Sequence, residues 1–201
     1  MEQVNNPFYK GFFESEELIN MGFKSVGENV KIAKNSTIIG LENIIIGCNV
    51  QIDENVFIVA NKGYLNIGNH VHIGGACHLN GTGGITLADF CGLSQGVKLY
   101  SISDDYTGNS MTNTTVPLEF KKLTISPVNL ERHVIIGSGS IVLPGVTIGM
   151  GSAVGALSLI TMSLDAWGVY FGVPAKKIKA RSKKILELEK RFIEDKKDKL
   201  F

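Results

Sequence analysis

The sequence predicts an all-β solenoid, a fold in which short strands wind in successive coils around one apolar core. The first observation is a period of six residues, because an aliphatic residue returns at every sixth position between Val26 and Ile160. The clearest run consists of Ile136, Val142, Ile148, Val154 and Ile160. The second is that this period fits neither an amphipathic helix, which repeats near 3.6, nor a half-buried strand, which repeats near 2. Fixed self-similarity of this kind is typical of a solenoid, where each repeat buries its apolar face against its neighbours.

Each six-residue unit is expected to form one face of a three-sided coil. In the units that begin at Ile46 and Ile52, the aliphatic residue at position one and the valine at position five point inward. Positions two to four turn the corner, where Gly and Asn tolerate positive φ, as in Gly68-Asn69, Gly74-Gly75 and residues 149–151. With about 18 residues per coil and roughly 4.8 Å between strands, about six coils make a prism about 30 Å tall.

Composition agrees with one continuous domain. The 201 residues are 44% hydrophobic, enough for a single core, and the 23 glycines are too many for a helical protein but suit repeated corners. The net charge of +1 gives no electrostatic case for binding nucleic acid or an anionic membrane.

The three cysteines are expected to play a structural part. Cys48, Cys77 and Cys91 lack the paired spacing of a metal site, and Cys77 and Cys91 occupy the small inward position of their units. No secretory signal is recognisable, and no apolar stretch reaches the ~20 residues that span a bilayer. We therefore expect a cytoplasmic protein without a membrane span.

Three segments interrupt the repeat and define the predicted organisation. Residues 1–24 form an N-terminal capping segment, with a short helix at Ser15 that has a serine cap and an acidic first turn. Residues 25–166 form the β-helix, interrupted by a long loop at 101–132 of the kind that commonly forms a lid or binding site. Residues 167–201 form a C-terminal segment whose amphipathic helix begins near Ser182.

The long loop indicates which chemistry to expect. A hydroxyl needs a base to take its proton before it can act as a nucleophile, and that base is commonly a histidine. A neutral amine already has a free lone pair and mainly needs alignment. The loop holds no histidine but offers Asp104 and Asp105, so it favours an amine acceptor. The same residues, followed by Tyr-Thr-Gly-Asn, also suit a simple turn.

The four histidines leave an alternative open. His72 and His78 lie six positions apart and are expected to stand beside each other on adjacent faces, where either could contact substrate or act as a base. His133 follows the loop and is a weaker candidate. A metal site built from His70, His72 and His78 lacks an acidic or thiolate partner at a convincing spacing, so no metal is expected.

The repeat followed by Gly172-Val173-Pro174-Ala175-Lys176-Lys177-Ile178 resembles the left-handed β-helix acyltransferases that use acetyl-CoA. The resemblance spans nearly the whole chain. It implies a left-handed coil, a homotrimer with active sites between subunits, and acetyl-CoA as co-substrate in the groove between adjacent subunits. It also implies a set of CoA-binding residues. These are Gly137, Gly155, Ala156, Pro174 and Lys177.

Within that family, the loop from Ile102 to Asn109 and the stretch from Leu164 to Trp167 resemble the N-acyltransferases acting on dTDP-4-amino-4,6-dideoxyglucose. Members act on nucleotide-linked amino sugars for O-antigen or other surface polysaccharide. A serine and an aspartate ten residues apart hold the sugar amine there, which implies catalytic roles for Ser94 and Asp104. An acidic residue five before the serine corresponds to Asp89. The complete set of predicted substrate contacts is Asp89, His72, His78 and Tyr100.

Two other functions are kept as alternatives. A sugar or polysaccharide O-acetyltransferase would use His72 or His78 as its base. A non-catalytic scaffold is compatible with the repeat alone, since nothing in a solenoid demands catalysis. Ser94 also fits a corner position that polar residues commonly fill, and the glycines at 137 and 155 are what a tight coil requires in any case.

Overall fold

The computed structural model describes residues 6–198, and it is a left-handed parallel β-helix with a protruding loop and a C-terminal helix. Residues 1–5 and 199–201, which the predicted N-terminal segment and C-terminal helix include, lie outside the described residues. In chain order the strands are β1 (Phe12–Glu14), β2 (Ser25–Val26), β3 (Lys31–Ala33), β4 (Thr37–Ile39), β5 (Ile44–Ile46), β6 (Gln51–Ile52), β7 (Phe57–Val59), β8 (Leu65–Ile67), β9 (His72–Ile73), β10 (His78–Asn80), β11 (Ile85–Leu87), β12 (Gly92–Leu93), β13 (Lys98–Tyr100), β14 (Ile102–Ser103), β15 (Thr124–Ile125), β16 (Val128–Leu130), β17 (Ile135–Ile136), β18 (Ile141–Val142), β19 (Thr147–Ile148), β20 (Ala153–Val154), β21 (Leu159–Ile160), β22 (Gly168–Phe171) and β23 (Lys176–Ala180). The helices are α1 (Ser15–Leu18), α2 (Ile185–Asp198) and two 3₁₀ helices at Leu41–Asn43 and Leu118–Phe120.

The coils stack into three parallel faces. Face A contains β3, β6, β9, β12, β17, β20 and β22; face B contains β2, β5, β8, β11, β16 and β19; face C contains β4, β7, β10, β13, β18 and β21. The chain passes from face B to A to C and back to B. We call the three columns of turns between them the BA, AC and CB corners.

The coils are longer in the first half than the sequence analysis expected. Lys31 pairs with Gln51, one coil and 20 residues later, whereas Ile135 pairs with Ala153 after 18. The extra residues lie at the CB corner. The passage across this corner from Ile58 to Ile67 takes nine residues, whereas the later passage from Val142 to Ile148 takes six.

The long loop leaves the solenoid at this CB corner. Strands β14 and β15 pair antiparallel at its base, and the coil resumes at Val128 rather than after Arg132. The hydroxyl of Ser101, which is fully buried, donates to the Asn80 carbonyl oxygen (2.6 Å) and accepts from the Gly83 amide (2.8 Å). The loop is therefore an enlargement of a corner that is already long in the preceding coils, and a short ladder holds its base.

The core follows the predicted inward positions. Val50 and Val56 at position five, and Ile52 and Ile58 at position one, are all buried. The inward thiols of Cys77 and Cys91 are buried as expected, and burial raises their pKa to about 11 and about 12. Both therefore stay protonated at neutral pH and serve as packing groups.

The corners correct one part of the predicted turn geometry. Positive φ falls on position four, which is why Asn49, His70 and Phe90 adopt it, while Gly68 and Gly149 at position two do not. Position two is glycine because the next coil lies so close. A Cβ on Gly149 would come within 2.5 Å of the Ala166 amide nitrogen. Close approach of backbones, rather than a left-handed conformation, selects glycine there.

The N-terminal segment covers one end of face A. Strand β1 pairs antiparallel with β3, and Leu18 of α1 is buried in the core. The predicted serine cap is wrong, since Glu14 precedes the helix and its amide donates to Glu17 Oε2 (3.1 Å). The Ser15 hydroxyl instead donates to the Gly27 carbonyl oxygen (2.9 Å) and accepts from an amide of the first coil.

The C-terminal helix lies against the BA corner. The rings of His70, Phe90 and His133 stack in that column, and Phe192 of α2 packs edge-on against the first two. Glu189 of α2 forms an ion pair with Arg132 and a hydrogen bond with the His133 Nε2 atom. The helix begins at Ile185 rather than Ser182, and none of the helices within residues 6–198 is long and apolar enough to cross a membrane.

We expect Gly149→Ala to lower the free energy of unfolding by about 1–3 kcal/mol, because the added methyl must displace the backbone of the next coil. Urea denaturation measures this loss. Met150→Ala at the neighbouring corner position is the matched control, since the Met150 side chain is exposed. An unchanged midpoint for Gly149→Ala would contradict the close-stacking explanation.

Candidate active site at the AC corner

Ser94 occupies position two of the AC corner in the fourth coil. The equivalent residues of the second, third, fifth and sixth coils are Asp53, Gly74, Gly137 and Gly155, each with its amide bonded to the next coil. The Ser94 amide donates to the Ile136 carbonyl oxygen (2.9 Å), and the Cys77 thiol donates to the Ser94 carbonyl oxygen (3.2 Å). Its main chain is thus held on both sides. The half-buried hydroxyl makes no hydrogen bond to the described residues.

His72 and His78 flank the AC corner of the preceding coil, on faces A and C as predicted. The His72 Nε2 atom lies 2.8 Å from Asp53 Oδ2, and Gln51 Nε2 donates to the other oxygen of that carboxylate (2.8 Å). Asp53 therefore fixes the imidazole of His72, and Gln51 in turn fixes the Asp53 carboxylate. About half of the His72 side chain remains exposed (51%).

His78 belongs to an aromatic cluster on face C. Its ring stacks on Phe57 with centroids 4.9 Å apart, and Tyr100 lies on its other side at 5.4 Å. Lys98 pairs with His78 in register. Burial, and then the charge of Lys98, lower the pKa of His78 below its usual value, so the imidazole is neutral at pH 7.

The two adjacent loop aspartates have different surroundings. The Asp105 carboxylate accepts from the Thr107 hydroxyl (2.6 Å) and amide (2.8 Å) and from the Ser110 hydroxyl (3.1 Å), and these hydrogen bonds lower its pKa. Asp105 is therefore the turn former. The half-buried Asp104 carboxylate makes no hydrogen bond or ion pair with the described residues, so it is available to a ligand. Its loop leaves the CB corner, so strand β13 of face C lies between Asp104 and Ser94.

Asp89 lies at a different corner from Ser94. It is at the BA corner, where Oδ1 accepts from the Asn69 amide (2.7 Å) and from Asn69 Nδ2 (3.1 Å). Strand β12 separates it from Ser94. The structure thus gives Asp89 a part in stacking two coils, and any contact with substrate would use its second oxygen.

The residues expected to bind CoA lie on the coils that follow Ser94. Gly137 and Gly155 share its corner column. Packing requires glycine at 137, where a Cβ would lie 2.5 Å from the Ala156 amide nitrogen, whereas a Cβ on Gly155 would meet only the exposed Phe171 ring, at 2.4 Å. Ala156 is exposed at the same corner. Pro174 and Lys177 are exposed on the segment that leaves the last coil.

The sequence analysis did not single out Phe57, Asp53 or Lys98, although all three contact its candidate histidines or lie in register with one. The signal that could have revealed these contacts is the coil length of 20 or 21 residues, because it places Phe57 beside His78. A fixed period of 18 hides that pairing. Among residues 6–198, no group of three or more His, Cys, Asp or Glu is arranged to hold a metal ion.

Comparison with known proteins gives consistent results. No protein-family model matches the chain. It is 43% identical over 181 residues to the dTDP-4-amino-4,6-dideoxy-D-glucose acyltransferase of Escherichia coli, covering 90% of this chain and 94% of that protein. AntD, an N-acyltransferase from Bacillus cereus solved with dTDP and 3-hydroxybutyryl-CoA, matches with a TM-score of 0.89 at 42% identity, over 94% of this chain and 99% of AntD.

Further solved structures are similar to this chain. An AntD variant in complex with dTDP-4-amino-4,6-dideoxyglucose and coenzyme A has a TM-score of 0.89 at 42% identity, over 92% of this chain and 98% of that one. AntD has been solved with substitutions of one serine and of one aspartate ten positions further along its chain. The polysialic acid acetyltransferase NeuO, at 20% identity and a TM-score of 0.58 over 79% of this chain and 74% of its own, shares the fold alone.

We expect Lys98→Met to raise the pKa of His78 toward the usual 6.5, because it removes the nearby positive charge. With the folded-state pKa below 6.5, the unfolded chain binds more protons between those two values, so stability falls as pH falls through that window. An NMR titration of the His78 ring protons measures the shift. Lys62→Met at an exposed CB corner is the control, and an identical midpoint in both variants would refute the assignment.

Proposed function

Since the chain belongs to the family of dTDP-4-amino-4,6-dideoxy-D-glucose acyltransferases, we propose that it transfers an acetyl group from acetyl-CoA to the 4-amino group of that nucleotide-linked sugar. One observation carries the assignment. The free hydroxyl of Ser94 and the free carboxylate of Asp104 are ten positions apart, as are the substituted serine and aspartate of AntD.

The reaction needs alignment more than base catalysis. The neutral amine attacks the thioester carbonyl carbon, a C–N bond forms, and the C–S bond breaks as the tetrahedral intermediate collapses. The CoA thiolate leaves and collects the proton released by the nitrogen. Asp104 accepts a hydrogen bond from the amine and orients its lone pair, while Ser94 provides a second contact. Amide groups at a coil corner stabilise the oxyanion of the intermediate.

The order of the coils indicates that the two substrates approach Ser94 from opposite ends of the solenoid. Gly137, Gly155 and Ala156 stack on the coils after Ser94, and Pro174 and Lys177 follow the last coil, so CoA approaches from the C-terminal end. Lys177 is placed to meet a CoA phosphate. The nucleotide sugar then lies toward the earlier coils, where His72 and His78 flank the corner and Tyr100 borders it. Asp89 is a more distant contact through its free oxygen.

The protein is proposed to act as a homotrimer in the cytoplasm, with each site completed by a neighbouring subunit. Solvent-exposed apolar side chains near the site support this. Leu157 at the AC corner is 73% exposed and Val173, beside Pro174, is 70% exposed. We expect a neighbouring subunit to cover both side chains. The product would supply surface polysaccharide synthesis.

Incubation with acetyl-CoA and a panel of nucleotide sugars tests the proposal. We expect mass spectrometry to show acetylation of dTDP-4-amino-4,6-dideoxyglucose and none of its 4-hydroxy analogue, because no base activates the hydroxyl. Acetylation of both at comparable rates would support an O-acetyltransferase that uses His72 or His78. A parallel arm with 3-hydroxybutyryl-CoA tests the acyl group that AntD was solved with. Absence of any acetyl-CoA binding by calorimetry would support the scaffold alternative.

We expect Asp104→Asn to lower kcat/KM for the amino sugar about 10- to 100-fold, since the amide is a weaker acceptor than the carboxylate for the attacking amine. Steady-state kinetics at fixed acetyl-CoA provide the measurement. Asp105→Asn is a matched control on the adjacent residue, because the amide oxygen can still accept from Thr107. A rate for Asp104→Asn within twofold of wild type would remove its assigned role.

A further inference from the structure

Gly92 is the one glycine at which an added Cβ would meet neither a close neighbour nor backbone strain. Each of the other 22 glycines, all within residues 6–198, either has positive φ or would place a Cβ within 3.1 Å of another atom. A Cβ on Gly92 would meet only Ile135 Cγ1, at an ordinary 3.8 Å. Glycine inside a strand weakens it through backbone entropy and lost packing. Its presence on β12 therefore points to something that approaches the strand from outside.

The missing side chain leaves a notch on face A. Gly92 pairs in register with His72 on one side and with Ile135 on the other. Both flanking side chains are open to solvent in the isolated chain, His72 by 51% and Ile135 by 44%. The two flanking strands are two strand spacings apart, roughly 9.6 Å. That gap accepts a flat ring lying against the backbone of β12.

The notch adjoins the proposed reaction centre. Leu93 points into the core with 1% exposure, so Gly92 and Ser94 on either side of it face outward. Two residues of extended chain separate their Cα atoms by roughly 6.6 Å. A pyranose whose 4-amino group contacts Ser94 is about the size needed to reach the notch with its ring.

The two walls of the notch differ in chemistry. His72 is fixed through Nε2 by Asp53, so its Nδ1 atom is left as an acceptor when Nε2 donates to that carboxylate. Ile135 presents an aliphatic surface. In a 4-amino-4,6-dideoxy sugar, the amine is on C4. The neighbouring C3 carries a hydroxyl, and C5 on the other side carries the apolar C6 methyl. The polar and apolar walls match these two groups.

We propose that the notch at Gly92 holds the pyranose ring of the acceptor, with the 3-hydroxyl donating to His72 Nδ1 and the C6 methyl against Ile135. This rests on the proposed function and assigns sugar specificity to residues outside the Ser94 and Asp104 pair. Gly92 and His72 act as positioning residues: they fix the ring, and the ring fixes the amine.

The test is to fill the notch with Gly92→Ala and Gly92→Val. We expect KM for the amino sugar to rise at least tenfold while KM for acetyl-CoA stays within twofold. We also expect the thermal midpoint to be unchanged or higher, because a Cβ fits and the strand gains propensity. A glycine needed only for folding would give the opposite, a lower midpoint with unchanged KM. Thr86→Ile, an outward residue on face B of the same coil, is the control for added bulk.

Binding measurements separate the sugar from the nucleotide. Calorimetry with dTDP and with dTDP-4-amino-4,6-dideoxyglucose should show that Gly92→Val weakens only the sugar complex. Equal weakening of both would place the nucleotide in the notch and overturn the proposal. If the Gly92 variants keep their kinetics but change the oligomer mass, the notch contacts a partner subunit rather than the sugar, and the proposal is also overturned.

A second variant tests the polar wall. Wild-type enzyme should use the 3-deoxy acceptor at least fivefold less efficiently than the parent sugar, and His72→Leu should abolish that difference. Persistence of the full difference in His72→Leu would remove His72 from sugar recognition. Wild-type enzyme that neither binds nor acylates the sugar would refute the proposed function itself, whereas an active wild type with indifferent Gly92 variants refutes only the notch.

Discussion

The whole architecture depends on the close, in-register stacking of one coil on the next. Backbone amides donate from coil to coil, as when the Gly47 amide bonds to the Ile67 carbonyl oxygen and the Gly68 amide bonds to that of Leu87, both at 2.8 Å. This contact fixes the height of each coil and leaves room only for hydrogen at several corner positions, Gly137 and Gly149 among them. Because the stacking is regular, a residue's position in its unit decides which column it joins, and columns rather than individual turns build the active site.

The same constraint gives the two long edges different tasks. At the BA corner, position four carries rings with positive φ, and the column of His70, Phe90 and His133 becomes a platform for the C-terminal helix. At the AC corner, position two carries small side chains, which keeps the backbone open to a ligand. A side chain as large as Phe90 in the Ser94 column would close the groove in which CoA is proposed to bind. The BA corner thus supports the C-terminal helix, and the AC corner carries the candidate active site.

The sequence alone predicted the fold, the inward positions and the existence of the loop, because these depend only on a six-residue pattern. It did not predict contacts between coils. The extra residues at the CB corner shift each early coil by two or three positions, so the pairing of His78 with Phe57 and of His72 with Asp53 could not be read from a period of 18. Asp89 and Ser94 are near in sequence, yet β12 sets them at two different corners. Local propensity also misplaced the helix cap, since the Ser15 hydroxyl is used by the first coil instead.

The titration behaviour of the chain agrees with an amine acceptor. Enzymes that must activate a hydroxyl usually shift the pKa of a base toward neutrality at the reaction centre. Here the largest pKa shifts belong to Cys77 and Cys91, which face the core, while the pKa of His78 is lowered by burial and by Lys98, with no carboxylate to strengthen it as a base. An amine that loses its proton to a departing thiolate requires no such adjustment. It requires a rigid corner, a free carboxylate and a fixed ring, and the stacked coils around Ser94 supply the rigidity on which the other two depend.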